Sequence, residues 1–142
     1  MRFMVIVKAN KDSEAGVLPD ERLVAEMAKY NDELAKAGIL LAAEGLHPSS
    51  NGVRVRFAGT QRTVVDGPFT ETKELIAGFW LWQAKSRQEA IEWLKRAPFD
   101  QTEVEIREVF EVEDSPCAEV RAKGVRAAPG RAEPRRNDHA AS

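Results

Sequence analysis

The stretch IAGFWLWQA, residues 76–84, decides the fold because it is the strongest strand signal in the chain. A strand turns successive side chains to opposite faces, so Phe79 and Leu81 lie on one face and Trp80 and Trp82 on the other. Large apolar side chains thus point both ways from one strand. The stretch therefore predicts a sheet that is covered on both sides.

Further strands and two helices are predicted on either side of this stretch. Apolar runs and alternating patterns predict strands over 2–8, 39–46, 52–57 and 102–112. A helix is predicted over 19–37, and a second begins at Ser86 and ends before Pro98. The first has an apolar stripe at a helical spacing, formed by Leu23, Met27, Tyr30 and Leu34. In the strand 52–57, the face of Val53, Val55 and Phe57 is predicted to be buried.

The order of these elements predicts an α+β fold. It consists of two βαβ halves joined by a hairpin, which indicates a ferredoxin-like βαββαβ arrangement with an extra hairpin and both helices on one sheet face. The other face has no helix to cover it. Because two exposed tryptophans would be unusual on a monomer, we expect a homodimer whose sheets meet face to face, as in the dimeric α/β-barrel superfamily.

Composition limits the classes of protein and partner. The 142 residues, 43% of them hydrophobic, are enough for one packed domain, and a net charge of −2 favours neither nucleic acid nor an anionic membrane as a partner. The N-terminal apolar run is too short for a signal peptide, so we expect a cytoplasmic protein. We assign residues 1–113 to the domain and 114–142, rich in Ala, Arg and Pro, to a disordered tail that contains the single cysteine, Cys117.

Five segments carry a family resemblance: EGLHP (44–48), VRVR (53–56), DGPFTETKE (66–74), AGFWLW (77–82) and SRQEAIEWLKRAP (86–98). Together they resemble the DGPF subfamily of the YCII-related (YciI-like) proteins over nearly all of residues 1–113. The resemblance implies a ferredoxin-like dimer, and it relates the chain to proteins often encoded beside extracytoplasmic-function sigma factors. A His–Asp pair is suggested as the active site in YciI-like relatives. Here the early strand and first helix contain no histidine, which argues against that pair.

Three residues are candidates for catalysis: Asp66, His47 and Glu44. Gly67 and Pro68 force a corner that aims Asp66. If Asp66 faces a cleft near the tryptophans, it suits the role of general base, with His47 or Glu44 assisting. Alternatively, Asp66 accepts hydrogen bonds within its own turn and acts as a structural clasp.

Candidate ligand-binding residues surround this corner, namely Pro68, Phe69, Lys73, Trp80, Trp82 and Arg54. Arg54 is able to bind a carboxylate or a phosphate. Alternatively, it is an ordinary charged residue on a strand face that points outward. Lys73 either holds the corner by an ion pair or belongs to a solvated loop. We predict no metal site and no bound cofactor, because the usual ligand spacing and the glycine-rich phosphate loop are both missing.

Three functions fit these residues. The first is a small-molecule enzyme that catalyses isomerisation, elimination or hydrolysis with Asp66 as base. The second is a non-catalytic ligand-binding or accessory module, linked to sigma-factor signalling, in which the same pocket binds a ligand and catalyses no reaction. The third is a dimeric scaffold in which the motif is purely structural.

Overall fold

The computed structural model describes residues 1–112, and the chain divides after Val109 into two units. The first unit is Met1–Val109. The predicted tail, 114–142, lies outside the described residues, so the predicted domain boundary at 113 stays a prediction. Six strands and three helices form the first unit: β1 (Arg2–Lys8), α1 (Lys11–Glu14), α2 (Glu21–Lys36), β2 (Leu40–Gly45), β3 (Val53–Ala58), β4 (Gln61–Asp66), β5 (Ile76–Gln83), α3 (Arg87–Leu94) and β6 (Val104–Glu108).

Four of the strands form an antiparallel sheet in the order β2-β5-β1-β6, and β3 and β4 pair separately as an antiparallel hairpin. The stretch around the tryptophans is β5, one of the two central strands. Its register places Trp80 opposite Val5 and Trp82 opposite Phe3. The fold is therefore a mixed α+β architecture built on antiparallel sheets.

Local signals in the sequence explain where the helices begin and end. The side chain of Asp20 accepts a hydrogen bond from the backbone N–H of Leu23, so α2 begins one residue after Asp20 and not at Pro19. Gly38, at a φ of +76°, follows its C-terminal end. The side chain of Ser86 caps α3 by accepting from the N–H of Glu89. The helix α1 was not predicted, although Asn10 and Ser13 form a capping box at its start.

The core lies between the sheet and the helices α2 and α3. Trp80, Trp82, Phe3 and Val5 from the strands are buried against residues of both helices, including Leu34. The prediction that the tryptophans need a second subunit to cover them was wrong, because the two helices of the same chain cover them. The other sheet face is the one with half-exposed apolar side chains.

The hairpin of β3 and β4 differs from its prediction in burial. Val53, Val55 and Phe57 were expected to be buried, yet they are 58%, 45% and 70% exposed. The alternation in the sequence does reflect a strand. Within residues 1–112, however, no further strand extends the hairpin, and its residues are exposed except for the half-buried Val65.

Candidate functional site

A cleft of about 1070 Å³ opens beside the sheet, between α2 and the loops that follow α1 and β2. It brings the buried ring of Trp80 together with a few polar groups. The apolar stripe of α2 supplies one wall through Leu23 and Met27. Three exposed apolar side chains, Val17, Leu18 and Val24, also line it.

Trp80 is a buried residue of the cleft lining. It is 4% exposed, and its ring lies 5.8 Å from the ring of Tyr30 and 5.9 Å from that of Phe99. The indole Nε1–H donates a 2.8 Å hydrogen bond to Oδ1 of Asn31, which also lines the cleft. The ring is thereby fixed in one orientation, since a buried indole N–H needs an acceptor.

Two titratable residues, Glu44 and His47, belong to the cleft lining near the end of β2. Glu44 is opposite Phe79 in the sheet, so its side chain lies on the face away from Trp80, and His47 follows in the loop after the strand. Both residues are exposed. His47 is therefore the candidate proton donor or acceptor that borders the cleft.

The loop after β2 is held in place from two sides through Ser49. The carboxylate of Glu14, at the end of α1, accepts from the N–H of Ser49 at 3.0 Å and from its hydroxyl at 2.6 Å. The same hydroxyl oxygen accepts from the backbone N–H of Phe69 at 3.0 Å. The corner at Asp66–Phe69 is thereby connected to the loop that carries His47.

Close backbone packing explains the glycine of this corner. A Cβ on Gly67 would lie 1.9 Å from the carbonyl oxygen of Ser49, a distance no side chain tolerates. The N–H of Gly67 donates to the carbonyl of Gly52 at 2.9 Å. The Gly67–Pro68 peptide bond is cis, and the guanidinium of Arg54 lies 3.7 Å from the centroid of the Phe69 ring. Gly67 is therefore required for close approach, and not for a left-handed conformation.

The structure divides the candidate residues into two groups. Three of them line the cleft, namely Glu44, His47 and Trp80, and six do not, namely Asp66, Arg54, Pro68, Phe69, Lys73 and Trp82. Of those six, Trp82 is fully buried in the core. Phe69 is half-buried against the loop, and the rest are exposed. Their roles in catalysis or binding stay predictions.

Asp66 fits neither of the two roles considered for it. It is exposed at the end of β4, so it lacks the burial on which the general-base hypothesis depended. Its carboxylate also has no hydrogen-bond partner among residues 1–112, as a structural clasp would require. The clasp in this region is formed instead by Ser49 and Glu14.

Two buried groups near the cleft do not face it. The indole N–H of Trp82 has no hydrogen-bond partner in the described part of the chain. The hydroxyl of Tyr30 donates to the carbonyl of Trp93. Burial raises the pKa of Tyr30 well above its usual value of 10.0; the nearby Arg96 opposes this rise and Glu33 adds to it. Tyr30 is therefore a neutral structural residue and not a proton donor for the cleft.

No group of three or more His, Cys, Asp or Glu side chains in residues 1–112 is arranged to hold a metal ion. Glu44, His47 and Asp66 therefore do not form such a cluster. Among the described helices, none has both the length and the apolar character that crossing a bilayer requires.

Sequence reasoning missed two residues that shape the cleft. Asn31 lies four residues after Met27 on the stripe of α2, which is the only signal that could have located it. Glu14 belongs to a helix whose capping box, at Asn10 and Ser13, was readable in the sequence. Neither contact was predictable, because Asn31 and Glu14 bind partners 49 and 35 positions away.

Residues 1–113 match the family model described as the YCII-related domain. An uncharacterized protein, R00369, of Rhizobium meliloti (strain 1021) is 32% identical over 76 residues, which are 54% of this chain. The match spans only 61% of that relative's length.

Among solved structures, the chain is similar to 5-chloro-2-hydroxyhydroquinone dehydrochlorinase (TftG) from Burkholderia phenoliruptrix AC1100, in complex with 2,5-dihydroxybenzoquinone. The TM-score is 0.41 and the sequence identity 20%. The match covers 81% of this chain and 100% of that one.

Proposed function

This chain belongs to the YCII-related domain family, and we propose that it binds a small organic molecule in the cleft beside Trp80. The observation that carries this proposal is the lining of the cleft. Apolar side chains and a fixed aromatic ring surround a space of about 1070 Å³, with a few polar groups among them. Small-molecule sites typically combine a concave apolar surface with a small number of oriented polar groups.

Asn31 is the group best placed to orient a ligand. Its Oδ1 is occupied by the indole N–H of Trp80, which fixes the amide and leaves its NH₂ group to donate. No described residue accepts from that NH₂ group. A carbonyl, hydroxyl or ether oxygen on an apolar ligand would satisfy it.

The test is a ligand screen with a variant that fills the cleft. Ala28 and Ala25 are both exposed on α2, but only Ala28 lines the cleft. We expect some members of a broad panel of small metabolites to raise the melting temperature, because a ligand that binds only the folded state stabilises it. Ala28→Trp should abolish that rise and Ala25→Trp should preserve it. A panel in which no compound raises the melting temperature would rule out the binding function.

The second candidate is an acid–base enzyme that acts on the same ligand by isomerisation, elimination or hydrolysis. It is favoured by one observation, that His47 borders the cleft. Asp66, the base inferred from the motif, would have to act from outside the lining. Once a substrate is known, His47→Asn should lower turnover while ligand binding persists. If Asp66→Asn were the variant that lost turnover and His47→Asn kept it, Asp66 would be the base.

The sheet topology and the subfamily are also part of the proposal. The strand order β2-β5-β1-β6, with antiparallel pairing throughout, supports a ferredoxin-like topology with the hairpin inserted. The nine residues 66–74, DGPFTETKE, support membership in the DGPF subfamily. An experimentally solved structure would test the topology, and a family-wide sequence comparison would test the subfamily.

We further propose a homodimer formed through the sheet face opposite the tryptophans. The strand pairing places Met4 opposite Leu81 and Ile6 opposite Phe79 on that face, and all four are half-exposed. A second copy is the natural cover for an apolar sheet face. Sedimentation equilibrium should give twice the mass of one chain, and Leu81→Glu should give a monomer. Val24→Glu, on α2, serves as the control that keeps the dimer.

A further inference from the structure

Gly45, the last residue of β2, is a glycine that the protein's own backbone does not require. Its φ is not positive, and a Cβ placed on it would have no atom of the described chain within 4 Å. The other six glycines of residues 1–112 differ from it. Three of them have a positive φ, and three would place a Cβ 3.4 Å or less from a backbone atom.

Gly45 also does not mark a bulge or the end of the strand pairing. The N–H of Leu46 donates to the carbonyl of Ala77 at 2.8 Å, so the hydrogen bonds to β5 continue past Gly45. The irregularity in the register of β2 lies at its other end, between Leu40 and Ala42. A glycine in a strand gives up side-chain packing and weakens the strand. Where no bulge or neighbouring backbone explains it, such a glycine often marks the close approach of a ligand.

The strand register places Gly45 on the cleft side of the sheet. Gly45 pairs with Gly78, and Gly78 pairs with Val7. This row lies two residues along the strands from the pair of Ala43 and Trp80, so it faces the same side as Trp80. All five residues line the cleft. Because only Val7 has a side chain in this row, the floor of the cleft beside Trp80 is largely backbone.

We propose that Gly45 determines the size of the ligand, because a bulky apolar body packs directly on its Cα. This inference rests on the proposed binding function and deepens it. A side chain at position 45 would occupy the same space as that body. Asn31, which holds the ring of Trp80, orients the ligand through an oxygen, while Gly45 sets how much volume the apolar part has.

Gly45→Val tests this role with two neutral alcohols of different size, cyclohexanol and 1-adamantanol, titrated calorimetrically into the full-length protein. The variant should weaken binding of 1-adamantanol at least about fivefold, as over-packing of an occupied space does, and weaken cyclohexanol less. Ala58→Val is the matched control. Ala58 is likewise exposed and the last residue of its strand, β3, but it does not line the cleft. The control should bind both alcohols as wild type does.

The melting temperature without ligand separates a role in specificity from a role in folding. Gly45→Val should melt at or above the temperature of wild type, because a β-branched residue suits a strand and restricts the unfolded chain more than glycine does. Stability is thus kept while binding of the larger alcohol is lost. A melting temperature well below that of Ala58→Val would show that Gly45 is needed for the fold, and would overturn the inference.

The failure of the inference can be told apart from the failure of the proposed function. If Gly45→Val binds 1-adamantanol as tightly as wild type does, Gly45 does not limit the ligand, while the cleft remains a binding site. If wild type binds neither alcohol, the smallest and largest compounds that raise its melting temperature in the wider screen replace them, with the same expected result. If no compound raises it, the binding function is wrong and the inference falls with it.

Discussion

Glu14 binds Ser49 through both of its carboxylate oxygens, one accepting from the backbone N–H at 3.0 Å and one from the hydroxyl at 2.6 Å. The hydroxyl oxygen in turn accepts from the N–H of Phe69. This chain of contacts runs from α1, through the loop that lines the cleft, to the corner at residues 66–69. The corner therefore supports the wall of the cleft without forming part of it.

Ser49→Ala should destabilise the protein by about 1–3 kcal/mol. The variant removes the hydroxyl, so the N–H of Phe69 loses its acceptor and one oxygen of Glu14 loses its donor. Urea unfolding monitored by tryptophan fluorescence measures the loss. The matched control is Ser50→Ala, because the hydroxyl of Ser50 contacts only Asn51, at 3.4 Å. Equal stability of the two variants would show that the contacts of Ser49 do not hold the loop.

Gly67→Ala should cost about 1–3 kcal/mol or more in the free energy of unfolding, as over-packed sites do. The added Cβ would lie 1.9 Å from the carbonyl oxygen of Ser49, and backbone atoms cannot move aside as a flexible side chain can. Gly45→Ala is the control, since no atom lies within 4 Å of a Cβ placed there. Chemical denaturation of both variants measures the difference. A Gly67→Ala protein as stable as the control would contradict the close approach of the corner to the loop.

Asp66→Asn should leave the stability within about 0.5 kcal/mol of wild type, which is usual for exposed sites without partners. Its carboxylate is exposed and unbonded within the described chain, so the substitution removes no contact there. Ligand binding in the cleft should also persist, since Asp66 does not line it. Thermal unfolding and calorimetric titration check the two statements. A large drop in melting temperature would instead favour the turn clasp inferred from the sequence.

The strands and helices were predicted from the sequence more accurately than the tertiary contacts around them. The strand at residues 76–84 and the caps at Asp20 and Ser86 follow from local patterns, because neighbouring residues alone determine them. Alternation in the hairpin indicated that its two faces differ. It could not indicate whether another element would cover the apolar face, since that depends on tertiary packing.

The same distinction applies to the cleft. Glu44 and His47 adjoin one strand and were identified as a pair from their spacing, and both line it. The contact between Asn31 and Trp80 joins α2 to a strand 49 positions later, so no local pattern contains it. The motif at residues 66–74 was interpreted as a candidate site because Gly67 and Pro68 were expected to form a corner that aims Asp66. Its observed contacts are mainly those of Gly67 and Phe69 backbone atoms, which a sequence does not display.

Tyr30 should make the stability of the protein depend on pH only in the alkaline range. Burial raises the pKa of Tyr30 above that of a tyrosine in the unfolded chain, about 10. The stability that this provides is fully present below about pH 10 and is lost as the pH rises through the higher pKa of the folded state. Between the pKa of the unfolded chain and that of the folded state, the folded protein keeps a proton that the unfolded chain has released. The free energy of unfolding should therefore fall by up to about 1.4 kcal/mol per pH unit.

Tyr30→Phe isolates this effect. Below about pH 10 the variant should be less stable by about 1 kcal/mol, because it lacks the hydrogen bond to the carbonyl of Trp93. Above that pH the difference between wild type and variant should shrink, since phenylalanine does not ionise. Tyr30 is the single tyrosine of the chain, so the ultraviolet absorbance of tyrosinate reports on it alone. If that absorbance rose in the folded protein at the same pH as in the urea-unfolded chain, Tyr30 would not be buried as the structure describes.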